Sequence, residues 1–284
     1  MGKVIIFNGV TVNNSIGNIN LSNSLPKSIS TYFSLSNITP TVEENNAFLS
    51  FYKTLKSNNL WDSIAAFHPM FRNLDGCKYS VVGNTLTLPN GCVYNKGLDC
   101  TNAREGEGFL KKGFLLNDTG VLNTGNFSIY FAAPIIDIRR IALFTAINKK
   151  DLSSNTHKLS YYNFGLSLND DKTISKLSGL NTESYGKDVS NNRVFCYTHK
   201  YDITVEGKLY SDGIVGENIG KTFSTLQLPI YFNVFSATDV LPDNSRWNAN
   251  TPISFVMIYK ETHSEEQVKI ISDAINEIIS KVQS

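Results

Sequence analysis

The sequence has little of what usually announces chemistry. Cysteine occurs four times, at 77, 92, 100 and 196, with spacings of 15, 8 and 96 and no CxxC pair. A zinc site is therefore disfavoured, and buried free thiols are the simpler reading, although Cys77–Cys92 and Cys92–Cys100 bridges stay open. Histidine also occurs four times, at 68, 157, 199 and 263, and no two are three or four residues apart. No helix face can then carry a metal-binding pair. There is no run of 18 apolar residues, so no membrane-spanning helix is expected. The four strong hydrophobes Val4–Phe7 are too few for a signal-peptide core, and Ile6 stands where myristoylation needs Ser or Thr. Charge of one sign is missing as well: 26 basic and 25 acidic residues leave a net +1. Such a balance offers no broad field to nucleic acid or anionic lipid. Sequons such as Asn126-Phe127-Ser128 read as a by-product of richness in Asn and Ser.

What remains is 284 residues that are 41% hydrophobic and 11% aromatic, ample for a large core. Residues 1–40 read as an extended N-terminal docking segment. Val4, Ile5, Ile6 and Phe7, a turn at Asn8-Gly9, then Val10 and Val12 suggest two short strands that need a partner to pack on. Residues 41–76 read as a helical lead-in. Thr41 and Glu44 form a capping box, and Ala47, Phe48, Phe51, Tyr52 and Leu55 make one apolar stripe. The stretch Ser57–Gly76, with Trp61, Ile64, Phe67 and Phe71 at three- and four-residue spacing, reads as a short helical or turn-rich clasp between that helix and the rest.

Residues 77–284 read as a β-sandwich with a C-terminal helix. About ten short, turn-bounded strands alternate apolar and polar residues. In one, Phe127, Ile129 and Phe131 share a face, with Ser128 and Tyr130 on the other. The fold class is thus mainly β, an antiparallel β-sandwich. The final helix is announced by Ser264 as N-cap, Gln267 closing a capping box, and Glu265 and Glu266 at the positive dipole end. Val268, Ile271, Ile275, Ile278 and Ile279 form its packing stripe.

Three stretches carry a resemblance: "AFLSFYKTLKSNNLWDSIAAFHPMF", "YSDGIVGENIGKTF" and "ISFVMIYKETHSEEQVKIISDAI". The second is similar to the Tyr-x-Asp-Gly hairpin of concanavalin-A-like domains. The third is similar to the last strand and acidic helix start of laminin-G-like jelly rolls, with His263 in place of a Leu. The series over 45–280 resembles bacteriophage virion structural proteins of the crAss-like or a related low-GC phage group. That resemblance implies a concanavalin-A-like jelly roll and a non-enzymatic capsid auxiliary, head-fibre or tail-appendage subunit. It implies localisation in the virion, other virion proteins as partners, assembly as a homo-oligomer, and no cofactor, nucleic acid or membrane. Fold alone does not fix activity.

The chemical signals are thin. Glycosidases need two placed carboxylates, and Glu105 and Glu107 sit among glycines instead. Asn169, Asp170 and Asp171 lack the spacing of a calcium loop. Cys196 and His199 fall on opposite faces of a strand, which excludes a thiolate–imidazole pair. Arg246, Trp247 and Asn248 lie in a polar loop and are the candidate contact to host glycan or a partner, because an exposed Trp stacks well on sugar. A carbohydrate-binding module for cell-surface glycan is the alternative function.

Overall fold

The computed structural model describes residues 24–86, 88, 91–99, 114–116, 126–132, 141–148, 162–168, 174–178, 181–184, 193–200, 206–216, 230–234 and 252–282. Four helices are described: α1 (Lys27–Leu35), α2 (Val42–Ser57), α3 (Leu74–Lys78) and α4 (Glu265–Val282). Fourteen strands are described: β1 (Ile64–His68), β2 (Val93–Tyr94), β3 (Leu98–Asp99), β4 (Phe114–Leu116), β5 (Phe127–Ala132), β6 (Ile141–Asn148), β7 (Tyr162–Leu168), β8 (Ile174–Ser178), β9 (Asn181–Ser184), β10 (Val194–Lys200), β11 (Glu206–Ser211), β12 (Ile214–Val215), β13 (Ile230–Val234) and β14 (Phe255–Tyr259). They form two six-stranded antiparallel sheets, ordered β1-β14-β5-β10-β11-β12 and β4-β13-β6-β7-β8-β9, and a small β2-β3 hairpin. The protein is mainly β, with helices at both ends.

Local chemistry accounts for the helices that the sequence announces. The Thr41 hydroxyl accepts the Glu44 N–H at 3.2 Å, and the Glu44 carboxylate accepts the Thr41 N–H at 2.6 Å. Ser264 and Gln267 repeat this box at α4, at 2.9 and 3.3 Å. The α4 stripe is buried as expected, with Val268, Ile271 and Ile275 fully so, and in the α2 stripe Ala47, Phe48, Phe51 and Leu55 are buried while Tyr52 is partly so.

Helix α1 corrects the extended reading of residues 24–40. Its N-cap is Pro26, no side chain caps it, and it has no acidic first turn, so the usual start signals are missing. Tertiary contacts hold it instead: Ile29, Tyr32 and Phe33 are buried, and the Tyr32 hydroxyl donates to the Gly76 carbonyl at 2.9 Å. The clasp is also revised. Ile64–His68 is a strand, β1, at the edge of the first sheet, and pairs with β14. Trp61 still joins helix to sheet, meeting the Tyr52 ring at 4.8 Å and the Phe67 ring at 6.3 Å, both nearly perpendicular. Just beyond, Arg72 takes a φ of 61°, and its guanidinium returns to the Glu44 carboxylate at 2.8–2.9 Å.

The first sheet is buried on both faces, which alternation of apolar and polar residues does not suggest. One face (Phe67, Tyr130, Ala132, Cys196, Tyr210, Phe255, Met257, Tyr259) shares a core with α1, α2 and α4. The other face (Phe127, Ile129, Phe131, Phe195, Tyr197, Val256, Ile258) is buried as well. At about 1.5–3 kcal/mol per buried large side chain, these two layers dominate the stabilising terms.

The hairpin at Asp212-Gly213 forms as the sequence predicts. Ser211 pairs with Ile214, and both turn residues have positive φ, 46° and 78°. Its aspartate is also a tertiary tie. The Asp212 carboxylate accepts the Val194 N–H at 2.9 Å, the Arg193 N–H at 3.3 Å and the Asn276 amide of α4 at 3.2 Å. Asp212→Ala is expected to lower stability by about 1–3 kcal/mol. Urea unfolding measures it, and a midpoint equal to the parent's sinks this assignment.

Candidate functional site

The densest polar cluster among the described residues lies where β14 hands over to α4. Strand pairing builds it: Met257 of β14 and Cys196 of β10 both face Tyr130 of β5, and Tyr259 faces Ser128. The chain then turns through Lys260, Glu261, Thr262 and His263 before the Ser264 cap. Every step of that turn is tied to the sheet or to Ser63, just before β1. The Lys260 N–H donates to the Ser63 carbonyl at 3.2 Å. The Ser63 hydroxyl donates to the Glu261 carboxylate at 2.6 Å. Ser128 donates its hydroxyl to the Glu261 carbonyl and accepts the His263 N–H, each at 2.9 Å. The Thr262 hydroxyl donates to the His199 carbonyl.

His263 is the centre of the cluster. Its Nδ1 is 2.8 Å from the Tyr130 hydroxyl, and its ring meets the Tyr259 ring edge-on at 4.2 Å. Its Nε2 stands 3.4 Å from the Glu261 carboxylate, near but without hydrogen-bond geometry. His263 is 3% exposed, whereas the Glu261 side chain is 46% exposed. The row Tyr130–His263–Glu261 thus runs from the core to the surface. Burial pushes the imidazole down to about 4, partly opposed by the Glu261 carboxylate. Burial likewise pushes the Tyr130 and Tyr259 hydroxyls and the Cys196 thiol up, so all three stay neutral. With Tyr130 fully buried, no substrate reaches its oxygen.

A second buried imidazole, His68, lies on the other face of the sheet, paired with Val256. Neither ring nitrogen has a partner in hydrogen-bond geometry, although the Tyr79 backbone is close enough to favour the charged form. Burial wins and pushes His68 down to about 3.

Of the residues the sequence singles out, Val4, Ile5, Ile6, Phe7, Val10, Val12, Arg246, Trp247 and Asn248 lie outside the described residues, as do Glu105, Glu107 and Asn169–Asp171. Cys196 and His199 do fall on opposite faces: Cys196 lies in the helix-facing core, and His199 stacks on Phe127 at 5.0 Å. Among the described residues no three His, Cys, Asp or Glu come together to hold a metal. Cys77 and Cys196 are free thiols. No described helix is long and apolar enough to cross a membrane.

The sequence reading passed over His263. A signal was present, because His263 occupies the position before the N-cap, where a hydrophobic staple packs against the fourth helical residue. Here that residue is Val268, and both are buried. A histidine in a staple position must hide its ring nitrogens, and Tyr130 hides one.

No protein-family model matches the sequence, and no curated protein matches it. Solved structures do match in fold. Trypanosoma rangeli sialidase in complex with sialic acid superposes with a TM-score of 0.55 at 12% identity, over 82% of this chain and 39% of the sialidase. The same enzyme in complex with 2,3-difluoro-KDN gives 0.53 at 10% identity, over 82% and 40%. Botulinum neurotoxin type C, whose cell entry is dependent upon interaction with two ganglioside molecules, gives 0.50 at 14% identity, over 77% and 53%. This chain therefore spans about two fifths of the sialidase chains it resembles. The likeness corrects one expectation. The missing carboxylate pair argued that the chain is not an enzyme, yet the fold is shared with sialidases, which are enzymes, so that exclusion does not stand.

Proposed function

We propose that this protein binds cell-surface glycan through a concanavalin-A-like jelly roll. The observation that carries the reading is the fold match, over most of this chain, to a sialidase holding sialic acid and to a toxin that interacts with gangliosides. Topology supports the jelly roll. The chain passes between the two sheets from β4 to β5, β5 to β6, β9 to β10, β12 to β13 and β13 to β14. A second sheet laid on Phe127, Ile129, Phe131 and Tyr197 accounts for the burial of that face.

Trp247, flanked by Arg246 and Asn248, is the candidate contact, as a stacking surface between two hydrogen-bonding side chains. A glycan array probed with the full chain is expected to show binding, and Trp247→Ala to weaken it about tenfold or more. A blank array ends the glycan reading. An unchanged variant moves the site elsewhere on the sandwich. Turnover of a fluorogenic sialoside makes the site catalytic.

Display on a phage particle rests on the sequence resemblance alone. In that setting Val4–Phe7, Val10 and Val12 dock on another virion protein, and the chain assembles as a homo-oligomer. Deleting residues 2–25 then leaves a folded domain that no longer enters particles, as mass spectrometry of purified particles would record.

A further inference from the structure

The turn Lys260–His263 holds the start of α4 to the sheet, and one of its fastenings depends on a proton. A neutral imidazole that accepts the Tyr130 hydroxyl at Nδ1 carries its own proton on Nε2, turned towards Glu261. A second proton must go to Nδ1. That nitrogen then donates to the Tyr130 oxygen, and the Tyr130 hydroxyl proton must turn away from the ring. The new charge also sits immediately before the Ser264 cap, against the positive end of the α4 dipole. Both effects oppose the docked geometry.

We propose that the β14–α4 junction is an acid-sensitive latch: proton uptake by His263 reverses its bond with Tyr130, places a buried charge just before the N-terminus of α4, and frees the first two turns of α4 from the first sheet. The step transfers one proton from solvent to Nδ1 and breaks no covalent bond.

The groups facing His263 are few. They are Tyr130 from β5, Tyr259 and Glu261 from β14 and its turn, and Cys196 from β10 behind Tyr130. At the start of α4 stand Glu265, paired with Lys208 of β11 at 2.9 Å, and Glu266. The two tyrosines and the thiol stay neutral throughout the acid range, so among the described residues Glu261 is the counter-charge beside the ring. It is nearly half exposed, and solvent weakens its hold on the imidazolium. The sign follows. In the closed latch His263 titrates near 4, and in the open latch near its ordinary value of about 6.5. Closure is therefore favoured fully above the ordinary value and is lost as pH falls towards 4. Opening uncovers Val268, Ile271 and the ring faces of Tyr130 and Tyr259, so an apolar surface appears in acid only.

Hydrogen exchange of the α4 amides Val268–Ser272, corrected for intrinsic rates, reads the latch directly. Between about pH 7.5 and about pH 5 the opening equilibrium is expected to rise about thirtyfold. Amides of β5 and β10, in the centre of the sheet, should change far less. In His263→Phe, which keeps a ring and removes the titration, the α4 response should flatten. Equal pH responses in α4 and β5, or a response unchanged in His263→Phe, overturn the latch. If that variant does not fold, NMR titration of the His263 ring in the unmodified protein decides. A midpoint near 4 in the closed form supports the latch, and a midpoint near the ordinary value refutes it.

Discussion

Gly76→Ala is expected to destabilise the protein by at least about 4 kcal/mol, enough to cost most of the stability of an ordinary domain. A Cβ at that position would lie 1.9 Å from the Phe71 carbonyl oxygen and 3.1 Å from Ile38 Cδ1. Neither neighbour can yield. The Phe71 carbonyl accepts the Asn73 N–H at 2.8 Å, and the Phe71 ring is packed against Phe33 at 6.3 Å and Phe48 at 5.7 Å. Gly76 is itself anchored at both ends, its N–H on Asn73 Oδ1 at 2.6 Å and its carbonyl under the Tyr32 hydroxyl. Any shift that relieves the clash breaks the contact between α1 and α3. Chemical unfolding gives the measure, with Lys78→Ala on the same short helix as a control. If Gly76→Ala unfolds within about 1 kcal/mol of the parent, the close approach of α3 to residue 71 is misplaced.

Acid should weaken the whole fold, and His68 should account for the largest share. Its folded value is about 3, and the ordinary value is about 6.5. A depressed histidine favours the folded state while it is neutral. The unfolded chain takes up a proton first as pH falls, so stability drops from about pH 6.5 down to about pH 3. The loss from this residue reaches about 2 kcal/mol near pH 5 and about 4–5 kcal/mol below both values. His68→Leu replaces a buried ring whose nitrogens lack hydrogen-bond partners with an apolar side chain. Its unfolding midpoint should therefore fall less steeply with pH than the parent's. The discriminating data are urea midpoints at several pH values. Parallel profiles for parent and variant would show that His68 does not carry the effect. His263 lies on the opposite face of the sheet, so its contribution should add nearly independently.

Several local features were readable from the residues alone. The two capping boxes, the stripes of α2 and α4 and the Asp212-Gly213 hairpin are made of bonds within four residues. A short bond of that kind depends on neighbours in sequence, and the chain displays those neighbours openly. Strand β5 was readable for a similar reason, because alternation of Phe127, Ile129 and Phe131 with Ser128 and Tyr130 is a local pattern. Strands β8 and β9 and the edge strand β1 were not recognised. Ile64–His68 is apolar throughout, and a short apolar run does not distinguish strand from turn or helix.

The sequence by itself determined a mainly β chain with a capped helix before the strands and another after them. Tertiary structure alone decided the rest. It made a helix of Lys27–Leu35, whose N-terminal end carries no side-chain cap and whose stability comes from Ile29, Tyr32 and Phe33 in a shared core. It buried both faces of the first sheet, which put His68 and His263 where water cannot solvate a charge. It also brought Tyr130 to His263 across 133 positions. No local pattern encodes that meeting. It depends on β5 lying beside β14, a pairing of strands far apart in the chain whose register is fixed only when the core closes.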